Sequence, residues 1–395
     1  MRIAIIGCGT AGPAAALLLA RDGHDVTVLE RVTEPRGVGA GILLQPPGQA
    51  VLRRLGLADD LEARSAPVRR IDGRTQGGRA VLEFGYGDVD PAVTGWGVHR
   101  AALFDVLWAA LVRDGILVRS GVEVEHLSVH ADGWRMHGRG GGDHGPFDLV
   151  VGADGARSRL RGMSGLCRKD VGYPYGALWT IVPDPDGLAG DVLTQRYRDT
   201  RITLGVLPTG IGQTSLFWSL PSRSLDAAVS AGPAAFVAAA TPFADRHLPL
   251  LARAVEAGVV AARYRDVVVP RPALVRGRAG LVLVGDAAHA MSPQLGLGAS
   301  LGLADAWSLA AALRAHPTDL AAALDAHVRD RRAHVRWYTW LSRLMTPVFQ
   351  SDLVPMAWLR DPLLGPVSRI PWVRRQFVTT LMGARTSPFT EWRLP

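Results

Sequence analysis

Three turns in this chain carry residues whose types and spacing suit phosphate, sugar and redox chemistry. The first is Gly7-Cys8-Gly9-Thr10-Ala11-Gly12, between an apolar run from Ile3 to Ile6 and an Ala/Leu run from Ala14 to Ala20. The first run suits a strand buried on both faces and the second a helix. Gly7 permits the tight turn, Gly9 lets backbone approach a pyrophosphate, and Gly12 lets helix and strand close together. The helix N-terminus offers its unpaired N–H groups to phosphate. Gly23-His24 breaks the helix, and Val26 to Leu29 form a second strand that ends at Glu30, where a carboxylate can accept ribose hydroxyls. Strand, helix and terminal acid in this order predict a bound dinucleotide. Arg31 suits either the adenosine or an NADP phosphate, and the local sequence leaves both open.

In the second turn a strand pattern from Phe147 to Val151 runs into Gly152-Ala153-Asp154-Gly155. Asp154 is either a cofactor-site acid or a helix cap. In the third, Leu281 to Val284 lead into Gly285-Asp286-Ala287-Ala288-His289, then Pro293, then Gly296-Leu297-Gly298 and a helical stretch from about Ala299 to Leu313. An Asp at a strand's carboxyl end suits a polyol or sugar chain, although Asp is also common in plain turns. The following helix N-terminus favours an anion, such as the N1–C2=O edge of a reduced flavin.

With Val98-His99-Arg100-Ala101-Ala102-Leu103 and the stretch Asp148 to Ser158, these motifs resemble the single-component FAD-dependent aromatic hydroxylases, the para-hydroxybenzoate hydroxylase-like group A flavoprotein monooxygenases. The resemblance covers about residues 1–330. It implies FAD held by Gly7, Gly9, Gly12 and Glu30 at its ADP half, with Arg31 over the adenosine and Arg100 towards the flavin. It places Gly285 and Asp286 at the ribitol and pyrophosphate, and Asp154 in a fingerprint shared by FAD and NAD(P)H. Pro293, Gly296, Leu297 and Gly298 would line the flavin ring where oxygen reacts. The implied reaction uses NAD(P)H as transient co-substrate and O2, through a flavin C4a-hydroperoxide, to hydroxylate or epoxidise an aromatic or polycyclic small molecule. Two departures stand out: Gly296-Leu297-Gly298-Ala299-Ser300 where the group often has Gly-Gln-Gly-x-Asn, and Gln45-Pro46-Pro47-Gly48 where it often has Pro-Asn-Ala. They leave open an oxygen-independent flavin reductase or dehydrogenase, or a non-redox flavoprotein using FAD as scaffold for cyclisation or ligand binding.

Such chemistry is carried mainly by the cofactor. His99 and His289 are the candidate catalytic histidines beside Pro293, each with the alternative of bonding backbone. Gln45, Arg196, Tyr197, Phe217 and Trp218 are candidate substrate-pocket residues, with plain core as the alternative for the large ones.

The elements around these residues read as an α/β protein. A Rossmann-like FAD-binding domain with a parallel sheet and a β-meander (Glu123 to Val151) takes 1–70, 97–165 and 278–330. A mainly antiparallel β substrate domain takes 71–96 and 166–277, with a covering helix near Ala227 to Ala240. A helical C-terminal region takes 331–395. There Trp337, Trp340, Leu341, Leu344, Met345 and Val348 recur at helical spacing, and Pro355, Pro362, Pro366 and Pro371 are expected to break the chain. This region suits packing on the core or on the partner of a homodimer, or an interfacial membrane surface.

Composition excludes several classes. With 395 residues, 48% hydrophobic and 20% charged, the chain is not disordered and has length for about two domains. Cys8 and Cys167 are the only cysteines, so no disulfide framework, Cys-based metal cluster or Cys-x-x-Cys redox pair is available. No metal site is expected. No second strand–GxGxxG–helix unit offers a stable NAD(P)H domain, and Trp179-Thr180-Ile181-Val182-Pro183 is only an echo of a flavin-halogenase motif. The net charge is +8, but Lys169 is the sole lysine and no basic run occurs, which argues against nucleic acid. No secretory h-region and no run of roughly 18 apolar residues is visible, so no span and a cytoplasmic location are expected.

Overall fold

A computed structural model describes residues 1–394; Pro395, the last residue of the tail, lies outside the described residues. The apolar runs next to the three turns lie side by side in one six-stranded sheet. Its order is Ala273–Arg276, Ala279–Leu283, Leu149–Gly152, Arg2–Ile6, Asp25–Glu30, Leu117–Ser120. The last five are parallel, and Ala273–Arg276 closes one edge antiparallel. Parallel strands are covered on both faces, which explains why their runs are continuously apolar rather than alternating. Helices Ala11–Arg21 and Gly298–Ala315 pack on one side, and the antiparallel meander Val124–His130, Gly133–Gly138, Asp143–Phe147 packs on the other. All three chemistry-bearing turns therefore leave the sheet at its carboxyl edge, where open α/β sheets bind ligands.

A seven-stranded sheet stands apart, in the order Val260–Val268, Lys169–Pro183, Gln213–Pro221, Ile202–Pro208, Val192–Arg198, Arg70–Thr75, Ala80–Gly85. It is antiparallel except where Val192–Arg198 runs parallel to Arg70–Thr75. One face is covered by helices Leu225–Ala240 and Leu248–Arg253 over a core of Leu178, Leu204, Leu216, Trp218 and Phe243. The other looks towards a small sheet of Gly41–Leu44, Gly95–His99 and Ala66–Val68. There Leu43, Val68 and Leu207 cluster, and the Gly41 N–H donates to Ser215 Oγ at 3.2 Å.

The sequence showed no span, yet the helical run Ser222–Phe243 is long and apolar enough to cross a membrane by composition, with a mean hydropathy of 1.2. It is broken at Gly232 (φ 80°, ψ 179°), just before Pro233, and it leans its Leu225 and Phe236 on the sheet.

The tail differs from expectation. Helix Leu320–Phe349 crosses the protein, followed by helices Pro355–Ser368 and Pro371–Leu381. Pro355 and Pro371 start helices instead of ending them, because the N–H groups of a first turn make no intrahelical bond that proline would remove. Pro362 and Pro366 sit inside Pro355–Ser368 without stopping it.

Candidate functional site

Gly7 has φ +100°, and a Cβ there would lie 2.7 Å from Ala153 O; a Cβ on Gly12 would lie 2.0 Å from Gly7 O. These two positions admit only glycine. Gly9 is exposed with open space before it. The helix Ala11–Arg21 begins at Thr10 without a side-chain cap, so its first N–H groups remain available to an anion. Glu30 accepts from Cys8 N at 2.7 Å through Oε2 and from Val32 N at 2.9 Å through Oε1. The turn thus holds the acid in place and leaves lone pairs for hydroxyl donors.

Across this edge, Asp286 is exposed and its carboxylate accepts no hydrogen bond among the described residues. It lies beside Gly298, where a Cβ would be 3.7 Å from Asp286 Oδ1. Arg31 and Arg100 are exposed and join no ion pair among the described residues. Two unpaired arginines, an unpaired acid and an open glycine turn suit a group with a pyrophosphate and hydroxyls, and FAD fits that description.

Asp154 takes the capping role that its sequence left open: Oδ2 accepts from Arg159 N (2.8 Å) and Leu160 N (3.1 Å), while Oδ1 is buried and unpartnered beside the glycine turn. His99 is likewise a cap, its Nδ1 accepting from Ala101 N at 3.1 Å, and burial lowers its pKa.

His289 lies in a buried polar network rather than at the open edge. It is buried, with Nε2 2.6 Å from Asp305 Oδ2. Asp305 also accepts from Gly285 N (2.8 Å) and Arg331 Nε (2.7 Å). Arg331 Nη1 lies 2.6 Å from His334 Nδ1, and His334 Nε2 lies 2.8 Å from Gly383 O. Burial opposes ionisation of Asp305, but His289 and Arg331 outweigh it and hold the carboxyl far below the usual range. Burial first, and then Arg331, push His334 down to about 2. This network fastens the Gly285 turn to the tail. Sequence reading missed Asp305 and Arg331, although a lone acid on the apolar helix between Leu301 and Leu309 is a signal of a buried pair.

The departures in the glycine segment have structural reasons. Leu297 does not turn its side chain to the open site: it is buried with Leu295, Leu301 and Tyr338, against Gly383. Ser300 Oγ accepts from Gln45 N at 3.0 Å. Gln45 accepts at Oε1 from Tyr86 Oη (2.8 Å), while its Nε2 is buried without a partner, an orphaned donor that a bound ring system can satisfy. Pro293 opens the short turn Pro293–Leu295, and Gly296 follows against Leu43.

Adjacent residues of a strand face opposite ways, so the pairs Arg196/Tyr197 and Phe217/Trp218 divide between the two faces of the large sheet. Arg196 points away from the small sheet, bonded to Asp72 (3.1 Å) and Asp245 (2.7 Å). Trp218 points the same way, edge-on to Phe243. Tyr197 faces inward but is buried against Phe349 and Arg360 of the tail. Phe217 alone of the four is inward and half-exposed. Trp179, not anticipated as a pocket residue, lies beside it with ring centroids 4.8 Å apart, and Trp179 Nε1 donates to Tyr264 Oη at 3.3 Å. Burial pushes the Tyr264 phenol up to about 12.

The profile of the FAD binding domain family matches residues 1–209 and 270–339. The chain belongs to this family. It resembles 6-hydroxynicotinate 3-monooxygenase of Bordetella bronchiseptica, 30% identical over 77% of this chain and 80% of that one. It also resembles 3-amino-4-hydroxybenzoate 2-monooxygenase of Streptomyces cremeus, 31% identical over 80% and 79% of the two chains. The crystal structure of Klebsiella pneumoniae HpxO complexed with FAD and uric acid superposes with a TM-score of 0.79, at 25% identity, over 97% of each chain. This member of the FAD binding domain family is thus an FAD-dependent oxidoreductase of the aromatic-monooxygenase type, a class that works with NAD(P)H and O2.

Proposed function

We propose that this protein inserts one oxygen atom of O2 into an uncharged aromatic or polycyclic small molecule, the second atom leaving as water and NAD(P)H supplying the two electrons. The observation that carries the substrate class is the inward face of the large sheet. By register it presents Tyr175, Ala177, Trp179 and Ile181; Ser215, Phe217 and Ser219; Thr203, Gly205 and Leu207; Leu193, Gln195 and Tyr197. None of these carries a charge. The names of two relatives specify nicotinate and benzoate substrates, which are carboxylates. Lys169, at the start of the strand Lys169–Pro183, is held by Asp266 at 2.6 Å, so a carboxylate taken out of water against these central strands would have no unpaired strand-borne cation, at a cost of several kcal/mol. A neutral ring would instead stack on Phe217 and Trp179.

FAD, when bound, supplies the redox chemistry with oxygen. In this reading Gly7, Gly9, Gly12, Glu30 and Arg31 hold its ADP half. Asp286, Arg100, Gly285 and the backbone of Gly296 to Gly298 hold the rest, and Asp154 keeps the second turn in shape. Gln45 Nε2 meets the ring system or substrate. The antiparallel sheet, with 71–96 and 166–277, serves as the substrate half over the FAD half, and excludes water from the reacting atoms. His99 and His289 serve as cap and brace, so no protein base is assigned. The Leu297 and Ser300 departures no longer favour an oxygen-independent or non-redox role, since each has a structural task. Two free cysteines, Cys8 with its thiol pushed up to about 12 by burial and then Glu30, suit a cytoplasmic enzyme whose redox chemistry runs on the flavin.

The test follows NAD(P)H oxidation and product formation by the purified yellow protein. Neutral phenols and polycyclic phenols are compared with the matching carboxylates. At least tenfold faster coupled turnover with the neutral members is expected. A preference for carboxylates would remove the substrate assignment, and a protein that cannot be reconstituted with FAD would remove the whole reading.

A further inference from the structure

The helix Pro355–Ser368 is built inside out. Its inward residues are Ala357, Arg360, Gly365 and Ser368. Arg360 is buried, donates to Val348 O and Asp199 O, each at 2.9 Å, and lies over Tyr197. Gly365 sits so close to the strand Ala80–Gly85 that a Cβ would lie 2.3 Å from Ala80 O. The face that docks on the protein is thus small and polar, apart from Leu364, which packs beside Val81, Tyr197 and Phe349. The outward face is apolar: Trp358 (74% exposed), Leu359, Leu363 and Val367 recur at helical spacing and run on into Ile370 and Trp372 (61%). Between Pro355 and Trp372, every exposed residue but Arg369 is apolar. A surface helix of a water-soluble protein normally buries its apolar stripe, and a contiguous exposed one marks a contact with something else.

Charge identifies the partner. Residues 331–395 hold ten arginines against Asp352, Asp361 and Glu391; Arg331, Arg343 and Arg374 are paired with Asp305, Asp266 and Asp88 elsewhere in the chain, and the surface keeps a cationic surplus. Arg369 and Arg375, which flank the stripe, are exposed and join no ion pair among the described residues. Two copies meeting through this face would bring like charges together. At 14 residues the helix is about 21 Å long, too short to span a bilayer and apolar on only one side. We propose that this face lies on an anionic phospholipid surface, with Trp358 and Trp372 at the headgroup boundary and Arg369 and Arg375 on the lipid phosphates.

The experiment sediments the FAD-loaded protein with vesicles of phosphatidylglycerol and phosphatidylcholine, and with phosphatidylcholine alone. Binding to the anionic vesicles only, at least tenfold weaker in high salt, is expected. The double substitution Trp358→Asp, Leu363→Asp should abolish it while NAD(P)H oxidation in solution stays unchanged. Arg369→Gln with Arg375→Gln should weaken it several-fold. Fully active protein that ignores anionic vesicles at low salt overturns the proposal. So does a concentration-dependent dimer, seen by light scattering, that the same Asp substitutions dissociate, since the face would then be a seam between two copies.

Discussion

Two polar clusters flank the turn at Gly285 and Asp286, and they are opposites. On the outer side, Asp286, Arg31, Arg100 and Gly9 are exposed, and the three charged side chains are unpaired among the described residues. On the inner side, Asp305 accepts from Gly285, His289 and Arg331, all within 2.8 Å, in a buried site. Both hold the residue types expected of an active site. What separates them is burial and pairing: an ion-paired buried network, in which His289 Nδ1 is left without a partner, fixes structure, while exposed unsatisfied groups at a sheet's carboxyl edge wait for a ligand.

Asp305→Ala tests the inner cluster and should have the largest effect. It leaves Arg331 buried without its carboxylate, at a cost of about 3–5 kcal/mol, read as a large fall in the denaturant midpoint. A change below about 1 kcal/mol would mean that the network is not what secures the tail. Asp286→Ala tests the outer cluster with the reverse pattern. The apo-protein should melt as before while FAD affinity drops roughly tenfold to a hundredfold, since a hydrogen bond to a charged group contributes about 1.5–3 kcal/mol. Unchanged FAD affinity would remove Asp286 from the site.

A buried histidine beside the inner cluster, His327, which interacts electrostatically with Asp305 and Arg331, should also sense acid. His327, bonded to Ser308 at 3.1 Å, is pushed down to about 4 by burial first. A His with a depressed folded pKa contributes stability present above its unfolded value, about 6.5, and lost as pH falls towards the folded one. His327→Gln should therefore flatten the stability curve between those pH values by about 1.4 kcal/mol per pH unit, measured by urea midpoints. Parallel curves for the two proteins would contradict this. The smallest effect belongs to Ser300→Ala, which deprives Gln45 N of its acceptor and should cost about 1 kcal/mol with FAD binding retained. Loss of FAD instead would make Ser300 a cofactor contact.

The outer cluster was legible because glycine spacing, strand and terminal acid are all local. The inner one was not: Asp305, the helix neighbours Arg331 and His334, and Gly383 come from three distant parts of the sequence and meet only in the fold. Strand parity was legible in Arg196/Tyr197 and Phe217/Trp218, since one of each pair must face away. Which one faces the site depends on which side the helix Leu225–Ala240 covers, and no local pattern states that. Trp179 was visible as a residue, but its role depends on the register that sets it beside Phe217. The helical spacing from Trp337 to Val348 was readable, whereas the helix Pro355–Ser368 and its outward apolar face were not, because its prolines read as breaks in the chain.

The most direct measurement supplies isotopically labelled O2 to the FAD-loaded enzyme with NAD(P)H and an uncharged aromatic substrate, and weighs the product. One labelled oxygen atom per product, formed in step with NAD(P)H oxidation, is predicted. Label arriving from water, or the same product formed without O2, would contradict it.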